Sequence, residues 1–440
     1  MLWRVRTARP VSRWTAVALG ELLRVLHGFA FKGEFFAAEE SGSHVLLTPK
    51  NFRRHGGLDL SEGRRKYYTG PIDEKFVLRQ GDIVMALTDL KNEAPILGAV
   101  GVVPVAGRYL HNQRIGKVVV DRPDRLATDF VPWLLNSPRV RARVRSSATG
   151  ATVRHTAPVR ISEILAPLPD LGTQKKIAAV LSAFDELIEI NERRMVLFEA
   201  LARRLYREWF VRFRFPGHED MKFVDSELGR MPEGWEVRRL GEIAQVVVDG
   251  VNPTEVHSGA PYLGLEHMPR RETTLREWGS IESVTSRKLR FSRGDTLFGK
   301  IRPYFHKVVW APFAGVASSD AIVIRPLESL AATALVNAVG SSDALVAHAV
   351  ATSNGTKMPR ADSKALLAFP MALPELSDGL VARFEQAAGH HLETAAALVR
   401  HNRALAATRD LLLPRLVTGR LDISDADLGD LLPALSLIHI

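Results

Sequence analysis

The string Gly294-Asp-Thr-Leu-Phe-Gly299-Lys300 satisfies the first seven positions of a phosphate-binding loop, G-x-x-x-x-G-K. The eighth position should carry a magnesium-holding hydroxyl, and it is Ile301. The helix that would turn its N-terminus to the phosphate cannot start there either. Arg302-Pro303 follows, and a proline disfavours the α conformation in the residue before it. Asp73-Glu-Lys75 and Asp362-Ser-Lys364 are minimal nuclease-like D-x-K strings, which arise by chance in a chain with 25% charged residues. Asn252-Pro253-Thr254 lacks the second proline and the aromatic of an amino-methyltransferase loop. The 14 histidines form no H-E-x-x-H, and there is no G-x-S-x-G elbow. With 0 cysteines, thiolate zinc, iron–sulfur, disulfide and cysteine-nucleophile chemistry are all excluded. The expectation is a chain with no catalytic residue, no metal site and no cofactor of its own.

What remains is a basic surface set with aromatics. Lys300, Arg302, Tyr304 and Lys307 fall within eight residues, and Gly355-Thr-Lys357-Met-Pro-Arg360 adds a second basic loop. The first half offers Arg64, Arg65 and Lys66 before Tyr67-Tyr68, then Lys91, Asn92, the series Arg139, Arg141, Arg143 and Arg145, and Arg154. Long cations neutralise phosphates or bond guanine O6 and N7, and tyrosine can pin a backbone. Lys plus Arg number 59 against 49 Asp plus Glu, a net charge of +10, which points to a polyanion. Any one cluster alone reads equally as a solvated loop. A stand-alone DNA-binding protein, a non-catalytic scaffold and an enzyme with an unrecognised site all remain open on these residues.

The elements that must position these loops occur twice. Trp14-Thr-Ala-Val-Ala-Leu-Gly-Glu21 matches Trp235-Glu-Val-Arg-Arg-Leu-Gly-Glu242; Gly81-Asp82 returns as Gly294-Asp295; Gly150 leading to Leu168-Pro169 returns as Gly355 leading to Leu373-Pro374. The order is kept, so two copies of one domain plan are predicted. Each copy closes with a helix. Ile177, Leu181, Phe184, Ile188, Asn191, Met195, Phe198, Ala202, Leu205 and Trp209 step by four and three, a heptad seam in which only Asn191 is polar. The second seam, Val381, Phe384, Ala388, His391, Ala395, Leu398, Asn402, Leu405, Arg409 and Leu412, has three polar positions that must find polar partners. Two seams that each need a partner predict antiparallel pairing with each other, carrying the globular units to opposite ends of a rod. The predicted division is a first globular domain at 1–170, a spacer helix at 171–214, a breaker-rich linker at 215–234, a second globular domain at 235–376, a second helix at 377–420 and a tail at 421–440. Short β runs such as 99–105, 117–120 and 321–324 make each globular unit α+β.

Arg4, Arg6, Arg9 and Arg13 precede a stretch that superficially resembles a signal peptide, but Glu21, Arg24 and His27 interrupt it. No signal peptide, no membrane span and a cytoplasmic location are expected. The tail acids Asp422, Asp425, Asp427 and Asp430 lack EF-hand spacing, and Ser436 to Ile440 show no pattern.

Leu168-Pro-Asp-Leu-Gly-Thr-Gln174-Lys-Lys-Ile177 through Phe184-Asp185 to Asn191, continued by Leu201-Ala-Arg-Arg-Leu-Tyr206-Arg-Glu-Trp209-Phe210, resembles the central region of specificity (S) subunits of type I restriction–modification systems. Gly234-Trp-Glu-Val-Arg-Arg-Leu-Gly-Glu242 and Arg409-Asp-Leu-Leu-Leu-Pro414-Arg-Leu-Val-Thr-Gly419 are similar to that family's pattern as well. So, less specifically, are the 294–304 loop, Ser318-Ser319-Asp320 and the 355–360 loop. The resemblance implies an α+β fold of two tandem target-recognition domains separated by two long helices pairing as an antiparallel coiled coil. It implies a non-catalytic subunit whose domains each read half of a bipartite site in double-stranded DNA. Its helices would set the half-site spacing and dock two methyltransferase (M) subunits, with restriction/translocase (R) subunits completing the complex. S-adenosylmethionine, ATP and magnesium would sit on those partners. Gly389-His-His391 departs from the apolar content expected of the second helix.

Overall fold

The computed structural model describes residues 14–37, 44–60, 64–105, 108–151, 153–328, 332–355, 357–376 and 379–427. Arg4, Arg6, Arg9 and Arg13, Asp430 and the final Ser436 to Ile440 lie outside them. The chain forms two compact units, Met1–Leu187 with Leu405–Ile440, and Ile188–Ala404. Two long helices, Leu171–Tyr206 and Leu380–Leu416, contribute to both. Each is about 50 Å long at 1.5 Å per residue.

The internal repeat is a repeat of topology. In the first unit Thr15–Ala18 pairs antiparallel with Leu165–Leu168, and in the second Glu236–Arg239 pairs with Pro370–Leu373. A four-stranded antiparallel sheet follows, in the order Leu23–His27, Ile115–Val120, Ile83–Ala86, Val100–Val102. Its counterpart is Ala244–Val247, Ala321–Pro326, Thr296–Gly299, Val308–Trp310. Each unit adds a five-stranded sheet with one parallel pair, Tyr109 beside Val45 in the first and Tyr262 beside Val316 in the second. Two short helices cover each four-stranded sheet: Val131–Asn136 and Pro138–Ser146, then Thr333–Gly340 and Asp343–Ala351.

The glycines that anchored the repeat have a physical reason to be glycine. Gly81 and Gly294 sit at φ +83° and +88°, and Gly150 and Gly355 at +98° and +94°, a region side-chain-bearing residues rarely enter. At Gly150 a Cβ would also lie 2.0 Å from the Val153 carbonyl.

In the first unit Ile177, Ala178 and Leu181 of the first long helix enter the domain core with Leu413, Leu416 and Val417 of the second; Leu412 packs at its edge. Fully buried Gln174 fastens the first helix to its domain. Its Oε1 accepts from the Ala127 amide (2.8 Å), and its Nε2 donates to the carbonyls of Arg125 (2.8 Å) and Pro169 (2.9 Å). In the second unit Glu385 plays the reciprocal part, accepting from the amides of Ala334 (2.9 Å) and Leu335 (2.7 Å). There Met195 and Phe198 pack with Ala395, Leu398 and Val399, and Leu205 and Trp209 pack with Phe384, Ala388 and Leu392. Of the remaining predicted seam positions, Phe184 and Leu405 are buried, and Ile188 and Asn402 are half-buried.

Each polar seam residue finds a partner. Arg409 pairs with Asp185 in the first unit. In the second, Asn191 Nδ2 donates to Asn402 Oδ1 (2.8 Å), Asn402 Nδ2 donates to the Ile188 carbonyl (3.1 Å), and His391 stacks on Phe198. Within each unit these contacts run antiparallel. Asn191 is fully buried, so Asn191→Leu alone should cost about 1–3 kcal/mol by stranding Asn402. The Asn191→Leu/Asn402→Leu pair should recover most of that loss in a urea double-mutant cycle. Additive losses would contradict a shared bond.

The stretch 215–234 forms the hairpin Phe223–Ser226 with Gly229–Pro232, flanked by the buried aromatics Phe215 and Trp235, which stack at 5.4 Å. The hairpin itself is largely exposed, and its Gly and Pro residues serve as turn formers. No single helix among the described residues is long and apolar enough to cross a membrane. Nor does any described cluster of His, Asp and Glu suit a metal ion.

Candidate nucleic-acid interface

In the second unit the two basic loops foreseen from the sequence are zipped together. Ile301 bridges to Arg360, the Arg302 amide donates to the Pro359 carbonyl (2.8 Å), and the Ala361 amide donates to the Lys300 carbonyl (2.8 Å). The Lys300 amide donates to the Asp320 carbonyl (2.7 Å), which draws in the 318–320 turn. Arg302 and His306, at φ +50° and +52°, bracket the single turn Pro303–Phe305. Left-handed backbone at non-glycine residues is costly and must be held by its surroundings. The strand-like zipper holds Arg302, and the buried His306 Nε2 donates to the Ser341 carbonyl (2.8 Å).

Arg302, Tyr304, Lys357 and Arg360 are exposed and Lys300 is half-exposed. None of the four cations has a carboxylate in salt-bridge range among the described residues. Lys307 is different: its Nζ donates to the Leu265 carbonyl, and burial followed by the nearby Arg270 guanidinium lowers its pKa. The 264–274 loop thus joins the site, and Arg270, overlooked in the sequence, lies 3.9 Å above the Phe305 ring. The only sequence signal for it was the Arg270-Arg271 pair after Met268-Pro269.

A helix residue holds that loop. Buried Glu199 accepts from the amides of Thr273 (3.0 Å) and Thr274 (2.5 Å), Arg203 donates to the Arg271 carbonyl (2.8 Å), and Arg271 pairs with Asp343 (3.1 Å). Helix and loop are therefore one hydrogen-bonded assembly.

The first unit repeats the plan with other side chains. Buried Asp89 caps the 89–96 loop, accepting from the amides of Lys91 (3.0 Å) and Ile96 (2.7 Å). Exposed Lys91 and Asn92 stand on that loop. Arg154 pairs in β register with Asp89, and its guanidinium reaches the Arg145 carbonyl. Four of the predicted residues, Lys91, Asn92, Arg145 and Arg154, are thus brought together. Arg64, Arg65 and Lys66 lead into the five-stranded sheet and have partners of their own. Arg64 pairs with Asp59 (2.8 Å), Arg65 donates to the Leu60 carbonyl (3.0 Å), and Lys66 lies 3.8 Å over Phe36.

Arg141 faces inward instead. It is 4% exposed and donates to the carbonyls of Leu97 (3.1 Å), Arg54 (3.2 Å) and Pro95 (2.8 Å), with burial pulling its pKa down to about 10. It staples the base of the loop that carries Lys91 and Asn92.

His111, in the turn at the same end of the first unit's four-stranded sheet, is buried, and its pKa is pushed down to about 4 by desolvation. The unfolded chain therefore takes up the proton first. This contribution to stability is intact above the ordinary histidine value near 6.5 and is lost as pH falls towards 4. Wild type should lose about 2 kcal/mol between pH 8 and pH 5 from this group. His111→Gln should show a correspondingly flatter profile in urea titrations, and an unchanged profile would contradict the assignment.

No protein-family model matches the chain. It is 27% identical over 207 residues to the type I restriction enzyme MjaIX specificity subunit of Methanocaldococcus jannaschii, a match that covers 47% of this chain and 46% of that relative. The chain thus spans about half the length of this relative. It is 24% identical over 396 residues to the type I restriction enzyme EcoDI specificity subunit of Escherichia coli, covering 85% of this chain and 81% of the relative. In fold it is similar to the type I restriction–modification S subunit from M. genitalium, at a TM-score of 0.56, 13% identity and coverage of 93% of this chain and 98% of that one. Over most of its length the chain is similar in sequence to a specificity subunit of a type I restriction enzyme, and its fold is that of a type I restriction–modification S subunit.

Proposed function

We propose that the chain is the DNA-recognition subunit of a type I restriction–modification complex and catalyses no step itself. Each unit reads one half of a bipartite site in double-stranded DNA. The carrying observation is that one loop plan is built twice, 87–98 zipped to 149–156 and 299–307 zipped to 354–361, on the same sheet topology but with different side chains. Two unlike readers on one frame suit a target whose halves differ.

The paired long helices act as an antiparallel spacer whose length fixes the gap between half-sites and whose outer faces dock two methyltransferase subunits. Those partners hold S-adenosylmethionine and methylate an adenine drawn out of the stack. Restriction/translocase subunits bring ATP and magnesium, and the complex works in the cytoplasm. This chain's own residues bind and orient the duplex. Arg302, Lys300, Lys357 and Arg360 in one unit, and Lys91, Asn92, Arg145 and Arg154 in the other, supply phosphate and base contacts.

The test is reconstitution with a methyltransferase subunit and titration of duplex DNA against salt. A stable complex whose affinity falls steeply with salt, and which prefers one bipartite sequence, is expected. Binding by the chain alone with no methyltransferase complex would favour a stand-alone DNA-binding protein. Salt-insensitive or absent binding would favour a scaffold.

A further inference from the structure

The second unit gathers cations without matching acids around one aromatic ring. Arg270 lies 3.9 Å over the Phe305 ring, the Arg302 guanidinium is 5.9 Å from the same ring, and half-exposed Tyr304 meets it edge-on at 4.9 Å. Neither arginine has a carboxylate in salt-bridge range among the described residues, whereas neighbouring Arg271 is paired with Asp343 and Arg276 with Glu272. A guanidinium held over a ring loses freedom to reorient, and with no carboxylate in range its N–H donors stay free. Such a fork suits bidentate donation to two acceptors in one plane.

The backbone at Arg302 and at Arg271, next to Arg270, is held in advance. Arg271, at φ +59°, donates its amide to the His306 carbonyl (2.9 Å) and receives Arg203 on its own carbonyl. Arg302 is held left-handed by the Pro359 carbonyl and the Ile301–Arg360 bridge. Of the five non-glycine residues with positive φ among those described, three (Arg271, Arg302 and His306) cluster here. Strain concentrated in the two loops that carry these unpaired guanidiniums, at Arg302 itself and at Arg271 beside Arg270, marks a ligand-facing device. In a DNA major groove, the base edge with two acceptors in one plane is guanine O6 and N7.

We propose that Arg270 and Arg302 read guanine in the half-site of the second unit, with Phe305 as the platform that orients Arg270. This rests on the reading of the chain as a specificity subunit. It adds the base class that one half of the target must contain, and a reader outside the basic loops.

The experiment is to sequence modified adenines in cells co-expressing the methyltransferase subunit with wild type, Arg270→Ala or Arg270→Lys, and to titrate the reconstituted complexes on single-base variants of the motif. The expected wild-type motif has guanine in the second-unit half. Arg270→Ala and Arg270→Lys are both expected to relax one guanine position by roughly 10- to 100-fold, leaving the other half intact. Lysine keeps the charge and loses the bidentate fork, so it separates base reading from phosphate contact. A second half without guanine overturns the proposal. So does uniform weakening by Arg270→Ala with full rescue by lysine, or an unaltered motif in both variants. In those three outcomes a wild-type bipartite motif leaves the specificity-subunit reading standing. If wild type directs no bipartite mark, both fall.

Discussion

Replacing Phe384 by alanine is expected to cost the second unit about 3–5 kcal/mol, the range for deleting a fully buried aromatic. Phe384 is 0% exposed, and its ring meets Phe210 edge-on at 5.1 Å, with Trp209 at 6.1 Å and Tyr206 at 6.5 Å. This aromatic knot is where the end of the first long helix and the start of the second close on the second domain. Truncation leaves a cavity that three large, rigid neighbours cannot fill. Phe384→Leu keeps most of the volume and should cost a fraction as much. In urea melts of the full chain, the transition of the second unit should move to lower denaturant, with the first unit's transition in place. Two units justify analysing two transitions rather than one. A shift confined to the first unit, or none, would contradict the packing described.

Arg141→Ala should cost the first unit roughly 3 kcal/mol or more, because three carbonyls lose a charged donor at once. Those carbonyls belong to Arg54, Pro95 and Leu97, so the damage falls on the loop that presents Lys91 and Asn92. Lysine cannot replace a planar fork that spans three acceptors, and Arg141→Lys should recover little. The same variant therefore carries a functional expectation: the half-site read by the first unit is lost or blurred, while the other half is kept. Denaturant titration gives the first effect and competition with half-site variants gives the second. An Arg141→Ala protein of wild-type stability would show that the guanidinium is dispensable.

The parts legible in the sequence were those written locally. A heptad seam repeats every few residues, so both long helices could be read directly, and even the awkward polar positions Asn191, Asn402 and Arg409 announced a need for partners. The domain repeat was legible through glycines whose positive φ no other residue holds cheaply. Strand order was not, because the partners of Tyr109 and Tyr262 in their sheets lie far away in the chain and carry no local mark. Arg141 read as one more surface cation, since only the three-dimensional approach of three carbonyls makes its burial tolerable. Lys307 and Arg270 show the same limit in the other direction. The first turns its ammonium onto the Leu265 carbonyl, and the second comes from a loop that sequence order separates from the basic segments. The 215–234 stretch read as a linker because turn formers dominate it, and its hairpin is largely exposed between the buried Phe215 and Trp235.

As proposed, this chain chooses a bipartite DNA target for partners that modify it. The most direct measurement is single-molecule sequencing of DNA from cells that express a methyltransferase subunit with and without this chain. Modified adenine is expected at one motif of two defined halves with a fixed gap, present only when the chain is present. Modification that is absent in both cases despite a stable complex, or that is the same with and without the chain, would contradict it.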